Sequence, residues 1–420
     1  MYSLTQADFK SRPGRSTIWV HAEAFGFGPS SLLLTLAPML RKLASSIGPH
    51  TTTEYVGHGH TLDLNTSPPW DNVHDCDTST NQGKQALGDL FQLQQPLLIV
   101  AVSDPAFVEL MSGLGARRLI VIDPLMWFWP SVPLAWANAS LVIAVDYIGV
   151  RSRVDEAKMR NAVVVPPLVP SIGRSISKGP RKGTLVNLGG LQNPFISVDE
   201  NIAFARLILS VVQQAIKARN HPDDLPLHFL TSQGVCAGME SDVATSTSPD
   251  KARVLLSECK TAFLTSGLSN IYDAADCGGR VVFLPATNQS QGEQPELMER
   301  DIGCSFTRID WHELNITKPK VEYSHTSDAE CFPVIQSHQK ALVEDHITQK
   351  RFVERVLECY GAEEDNAKNL QALFSSFGRD DGTLVMKAIV DTINRSVKPP
   401  PEVSPAIHLS GVLSDLYKRT

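Results

Sequence analysis

A chain of 420 residues, 42% of them hydrophobic, is too long for one ordinary core and holds enough apolar side chains for two. A net charge of -7 with scattered Lys and Arg leaves no basic stripe for phosphate backbones, so nucleic acid is excluded as a partner, and 27 Gly, 27 Pro and 20% charged residues exclude disordered and fibrous classes. Seven cysteines, never spaced C-x-x-C, argue against a disulfide framework or a zinc knuckle and fit a reducing, cytoplasmic compartment.

The first residues, MYSLTQADFKSRPGRS, contain no apolar signal core. The longest apolar stretches, such as LLIVAV at 97–102, are far shorter than the ~20 residues that cross a bilayer, so no transmembrane segment is expected. Short β-branched runs then alternate with helical patterns as far as residue 165: STIWVHAE, QPLLIVAVSDP, RRLIVIDP, ASLVIAVD and NAVVVPP. Runs apolar at every position suggest strands buried on both faces, as in a parallel sheet between helices. Between the first two, SSLLLTLAPMLRKL puts Leu32, Leu33, Leu36, Leu40 and Leu43 on one helical face, with a bend expected at Pro38.

From 166 to 183 prolines, glycines and basic residues interrupt all periodicity, which reads as a linker. A second α/β series follows: strand GTLVNLGG, a helix with Ile202, Ala205, Leu209, Val212 and Ile216 on one face, then strands LHFLTSQG, KTAFLTSG and RVVFLP. The tail from 341 turns helical, with Phe352, Val353, Val356, Leu357 and Tyr360 on one face. The fold expected is α/β: two doubly wound, Rossmann-like domains facing across a cleft. Residues 1–165 form the first, 166–183 the linker and 184–340 the second, and 341–420 form a helical tail packing on both. No spacing encodes an oligomeric state.

Ligands of such sheets gather beyond the C-terminal strand ends. There, Gly26-Phe27-Gly28, with Ser30 following, lies between a strand and a helix, but Ser31 replaces the third glycine of the dinucleotide fingerprint and no acidic residue ends a second strand at the required distance. The turn brings backbone N–H groups and a helix N-terminus to the cleft, or simply turns a corner. Gly189 and Gly190 end the first strand of the second domain, where a phosphate could approach the backbone, with Asn193 as an added donor; a plain tight turn is the alternative.

The richest segment is AFLTSGLSNIYDAADCGGRVVFLPATNQSQGEQPELMERDIG, at 262–303. A strand ends in T-S-G, a helix opens with Ser269 and Asn270, Asp273 lies one turn in, and a second strand ends at Leu-Pro. A helix N-terminus offers unpaired N–H groups and a dipole to a diphosphate, and an acid one turn inside could accept ribose hydroxyls.

This segment resembles the donor-site signature of GT-B glycosyltransferases, matching in order and approximate spacing at Gly267, Ser269, Asn270, Asp273, Pro285 and Gln294 over about 40 residues. Within that group the chain is similar to the cytosylglucuronate synthases. The resemblance implies a metal-independent transferase with a nucleotide-sugar, a UDP-sugar such as UDP-glucuronate, as co-substrate and no resident cofactor. Its diphosphate would lie near Gly189, Gly190, Ser269 and Asn270, its ribose near Asp273 and its sugar hydroxyls near Gln294. The first domain would hold a small acceptor such as a nucleobase or other metabolite. Two departures stand out: Pro29 and Ser30 replace the His that often follows the glycines, and Asp273 replaces the commoner Glu. A nucleotide-sugar epimerase and a non-catalytic sugar-nucleotide sensor are the alternatives on the same scaffold.

Inverting sugar transfer needs a base for the acceptor proton. The candidates are His21, Glu23, Asp104 and Asp123, of which Glu23 and Asp123 rank first; His21 also reads as a core histidine, and each Asp before Pro as a turn or cap. HDCDT at 74–78 and GHGHTLD at 57–63 carry metal-capable groups, but the polar stretch around them reads as a long acceptor-side loop without metal. Arg151, Arg153, Arg181 and Lys182 are the cations nearest the linker that could help the diphosphate. Trp127, Phe128, Trp129 and Trp136 read either as core or as a stacking wall for the acceptor.

Overall fold

The computed structural model describes residues 16–170, 180–192, 196–277, 279–303, 306–324, 327–361 and 366–395. Seven parallel strands form the first sheet: β1 (Thr17–Ala22), β2 (Thr52–Gly57), β3 (Asn72–Asp75), β4 (Leu98–Val102), β5 (Leu119–Asp123), β6 (Leu141–Val145) and β7 (Ala162–Val165), in the order β3-β2-β1-β4-β5-β6-β7. Six parallel strands form the second: β8 (Thr184–Asn187), β9 (Leu227–Leu230), β10 (Ala244–Thr245), β11 (Thr261–Leu264), β12 (Arg280–Phe283) and β13 (Thr307–Arg308), in the order β10-β9-β8-β11-β12-β13. Counted from its own first strand, each sheet runs 3-2-1-4-5-6, with a seventh strand added beyond the sixth in the first, so each has its switch point beside its first strand. The chain is two doubly wound, Rossmann-like domains with a helical tail.

β1, β4, β5 and β6 are buried at every position, as their unbroken apolar runs require. The long loop expected through 57–78 is corrected: it contains a short helix, Thr61–Leu64, and β3. β2 and β3 lack apolar runs because they are built around a buried carboxylate. Glu54 accepts hydrogen bonds from His74 (2.7 Å), Asn72 (2.9 Å), Gln94 (3.0 Å) and Thr52 (2.9 Å). Burial alone would raise this carboxyl, but the four bonds hold it at about 2. Trp19 Nε1 donates to Gln94 and extends the network into the core.

The helix Gly28–Ile47 buries Leu33, Leu36, Leu40 and Leu43 against β1 and β2 and continues through Pro38, which is exposed. The tail divides between the two domains. Helices Asp328–Glu344 and His346–Gly361 pack on Val198–Arg219 of the second domain, and Asn366–Phe377 packs on Leu268–Cys277. The last helix, Thr383–Arg395, returns to β6 and β7, where Val385, Ile389 and Ile393 share a core with Leu36, Ile120 and Ile143. Where the chain returns, the Val169 N–H donates to the Asp380 carbonyl (2.7 Å) and the Asp380 N–H to the Pro167 carbonyl (2.8 Å). No helix among the described residues is long and apolar enough to cross a membrane.

Candidate functional site

The C-terminal edges of the two sheets face each other. The Gly26 N–H donates to the Gln192 carbonyl at 2.6 Å, the Tyr147 hydroxyl to the Gln294 carbonyl at 3.0 Å, and the Tyr272 hydroxyl to the Asp146 carbonyl at 3.3 Å, so hydrogen bonds join the domains around a cavity of about 190 Å³. Gly26 takes a φ of +58° at this contact, a conformation that favours glycine.

Four helices begin at the cavity: Gly28–Ile47, Pro249–Glu258, Leu268–Cys277 and Gln289–Leu297, with Gly28, Pro249, Leu268 and Ser290 in its wall. Their dipoles make it favourable to negative charge, though Ser248 and Asn288 already cap the second and fourth of them through the Lys251 and Gln291 N–H groups. Phe27, which precedes the first of them, offers no side-chain cap, and a Cβ placed on Gly28 would lie 4.0 Å from Ser269 Oγ, so two helix starts stand opposite each other. Among the described residues no Lys, Arg or His lines the cavity, and its carboxylates are Glu23 and Asp273.

The second domain gives this space a fixed polar wall. Asn270 donates to the Thr265 carbonyl (2.9 Å) and Oγ1 (3.1 Å) and accepts from Asn187 Nδ2 (3.2 Å), whose own Oδ1 accepts the Gly189 N–H (3.0 Å). Gln291 accepts from Thr287 and donates to the Gly190 carbonyl (3.2 Å). A Cβ on Gly190 would come within 2.9 Å of both Gln291 Nε2 and Thr265 Oγ1, so only glycine fits without a shift. Within this ordered wall two buried polar atoms, Gln294 Oε1 and Thr231 Oγ1, make no hydrogen bond to any described residue. Both residues line the cavity.

Asp273 also lines it, yet it does not stand alone. Arg253, invisible to sequence reasoning because it comes from a different helix, donates from Nε to Asp273 Oδ1 at 2.7 Å. Burial pushes the Asp273 carboxyl up, and Arg253 opposes that shift.

Of the candidate bases, Glu23 lines the cavity, with its N–H on the Val102 carbonyl. His21 does not reach it. The imidazole is 1% exposed, with Nδ1 against the Val56 carbonyl (2.8 Å), Nε2 against Asp104 (2.9 Å) and its face stacked on Phe107. Asp104 also accepts the Phe107 N–H as a helix cap; burial would raise this carboxyl, but its bonds to His21 and Phe107 hold it below the usual range. Asp123 is likewise buried: it accepts from Trp136 Nε1 (2.8 Å), the Leu125 N–H (2.8 Å) and Trp129 Nε1 (2.9 Å). Burial lifts it to about 6 despite these bonds. The aromatic cluster therefore packs in or against the core, with Trp129 and Trp136 bonded to Asp123, rather than walling the cleft.

Gly26, Gly28, Gly189, Gly190, Gly267 and Ser269 line the cavity. Ser30 is buried behind it, accepting from Asn65 at 3.0 Å. Asn193 lies outside the described residues. Arg181 and Lys182 precede β8, at the opposite sheet edge; Arg181 donates to the Cys277 carbonyl and Lys182 lies 4.0 Å from Asp223. Arg151 pairs with Asp146, and Arg153 buries Nη1 without a partner, away from the cavity wall. In the metal-capable stretches His60 bonds the Gly26 carbonyl (2.8 Å), His74 bonds Glu54, and His58 faces Asp77 at 3.6 Å. Among the described residues no group of three His, Cys, Asp or Glu is placed to hold a metal ion.

No protein-family model matches the chain, and no curated protein matches it in sequence. Solved structures share its folding pattern. A spinosyn forosaminyltransferase aligns over 90% of this chain and 99% of its own at 13% identity and a TM-score of 0.46. A spinosyn rhamnosyltransferase in complex with spinosyn aglycone aligns over 88% and 99% at 11% identity and 0.49. A Listeria monocytogenes protein described as a UDP-N-acetylglucosamine 2-epimerase aligns over 93% and 100% at 12% identity and 0.49. At such distances the chemistry of the cleft has to be taken from its own residues.

Proposed function

We propose that the chain is a GT-B glycosyltransferase that moves a sugar from a nucleoside diphosphate sugar, with uridine as the nucleoside, to a small acceptor held against the first domain. One observation carries the reading: a cavity ringed by four helix starts contains two buried polar atoms, Thr231 Oγ1 and Gln294 Oε1, that have no hydrogen-bond partner among the described residues. Buried polar atoms are rarely left unpaired in a native fold, and where they occur a missing ligand is a physical reason. Thr231 stands at the end of β9 and Gln294 on the helix after β12, so the strand ends of β8 and β11 lie between them. A ligand with a polar ring at one end, a diphosphate in the middle and a hydroxylated sugar at the other satisfies that arrangement.

In this reading the diphosphate sits against the Gly189-Gly190 turn and the start of Leu268–Cys277, where backbone N–H groups stabilise the charge that grows as the sugar leaves. Asp273 takes the pentose and Gln294 the sugar. Glu23 removes the acceptor proton as general base. A glucuronate carboxylate would find no Lys, Arg or His among the described residues of the wall, which favours a neutral sugar. The acceptor meets Phe25, Phe27, Leu64 and Leu125, an apolar surface suited to a planar or aliphatic molecule.

The test is calorimetric titration with UDP, TDP, GDP and ADP and their sugars, then product analysis with and without acceptors. Binding of one nucleotide-sugar and acceptor-dependent release of its nucleotide is the expected result. Absence of binding by every nucleotide overturns the donor site, and conversion of the donor without any acceptor overturns transfer.

A further inference from the structure

The helix that carries Gln294 is irregular, and groups from both domains brace it. Pro295, inside Gln289–Leu297, has no N–H, so the Gln291 carbonyl lacks the donor that the fourth residue onward gives it in a regular helix. Ser266 fills that place: its hydroxyl donates to the Gln291 carbonyl at 2.6 Å. Three residues on, the Tyr147 hydroxyl reaches across from the end of β6 and donates to the Gln294 carbonyl at 3.0 Å, beside the Met298 N–H that points to the same oxygen. The chain then widens into a π-helical turn, Met298–Ile302, a distortion that concentrates at functional sites. Tyr147 is 1% exposed, with its ring packed on Trp127 (centroids 5.4 Å apart) and Phe377 (5.9 Å), so the hydroxyl is held where it is. Gln294 is 2% exposed, lines the cavity, and has an Oε1 with no partner among the described residues.

We infer that Tyr147 is a positioning residue for the sugar: through the Gln294 backbone, the first domain holds the side chain that meets the sugar hydroxyls. This rests on the nucleotide-sugar reading of the cleft. The wall nearest the diphosphate is braced within the second domain, because Asn187, Thr265, Asn270, Gln291 and the Gly189-Gly190 turn bond to one another. At Gln294 the brace comes from the opposite domain, directly before the proline that interrupts the helix. Recognition therefore divides in two. A nucleoside diphosphate is held by the second domain, whereas the sugar is read in full only while the first domain, which carries the acceptor wall, is docked against it.

The experiment is a double-mutant cycle on the full chain: parent, Tyr147→Phe, Gln294→Ala and the pair. Each is titrated by calorimetry with UDP and with whichever of UDP-glucose, UDP-galactose and UDP-N-acetylglucosamine the parent binds most tightly. Phenylalanine keeps the ring contacts and removes only the hydroxyl. Tyr147→Phe is expected to bind UDP within about twofold of the parent and the UDP-sugar about fivefold more weakly, the scale of one neutral hydrogen bond. In the Gln294→Ala background the same change should move the UDP-sugar affinity by less than about twofold. Equal weakening of UDP and UDP-sugar makes Tyr147 a structural residue, additive losses mean that it does not act through Gln294, and an unchanged UDP-sugar affinity means that the bond positions nothing. Each of these overturns the inference and leaves the nucleotide site standing, as does a parent that binds UDP and none of the three UDP-sugars. Failure of UDP to bind the parent overturns the uridine-nucleotide reading and this inference with it.

Discussion

The strand ends of the first sheet and those of the second share one order, yet they bring different groups to the cleft they enclose. β8, β9, β11 and β12 deliver Asn187, Thr231, Thr265, Asn270, Gln291 and Gln294 as a hydrogen-bonded wall. β1 and β5 deliver mainly Phe25, Phe27, Pro124 and Leu125, because the titratable groups at the ends of the first sheet are used internally: His21 is tied to Asp104, and Asp123 gathers two tryptophans. Glu23 is the carboxylate that this side brings to the cavity wall among the described residues. The strand order builds the cleft; which side chains are left over at its edge assigns one wall to a polar ligand and the other to an apolar one.

The sharpest break in this comparison is Glu23→Gln. Loss of a general base is expected to lower kcat by about 10³-fold while UDP affinity stays within about twofold. Steady-state kinetics and calorimetry check it, and a kcat within tenfold of the parent assigns proton removal elsewhere.

Asp123→Ala should do the reverse: three donors lose their acceptor, and stability falls by about 3 kcal/mol in a denaturant titration, with turnover per folded molecule retained. The same residue sets a pH dependence. Burial lifts it from its ordinary 3.8 to about 6, so the folded chain holds a proton that the unfolded chain releases between those values. Its contribution to stability is therefore greatest below about pH 4 and is lost as the pH rises through about 6. Asp123→Asn should flatten that segment of the stability profile, and an unchanged profile would show that another group titrates there.

On the polar wall the effects are smaller. Gly190→Ala puts a Cβ 2.9 Å from Gln291 Nε2 and Thr265 Oγ1, and UDP affinity should fall about tenfold with kcat at saturating donor nearly unchanged. Thr231→Val is the gentlest: it removes a buried hydroxyl with no partner among the described residues, so the free protein should gain a few tenths of a kcal/mol while UDP binds about threefold more weakly. Equal or tighter UDP binding by this variant would place the base elsewhere.

Most of the scaffold was legible in the sequence, for a physical reason. LIVAV, LIVID and LVIAV are apolar at every position because helices cover both faces of their strands. β2 and β3 escaped because TTEYVG and NVHD are stabilised by Glu54 and His74, a pairing that no periodicity announces. β10 and β13 have two residues each, too few for any pattern. At the site, the glycine turns and the Ser269 to Gln294 segment could be read because they are contiguous in sequence. Arg253 could not, since it meets Asp273 only after two helices pack, and the sequence left His21 between base and core histidine and Asp123 between base and turn because their tertiary neighbours are distant in the chain. A signal did exist for Thr231, a hydroxyl directly after a strand aimed at the cleft, but threonine is too common there to single out.

The chain passes between the domains twice, and at the passage Val169 and Asp380 of the two segments are hydrogen-bonded side by side. The two bonds pair the segments at 167–169 and 380, so the crossings are tied to each other where they meet. The Arg253–Asp273 pair shares its niche with Leu168, so the acid of the cleft lies beside this passage.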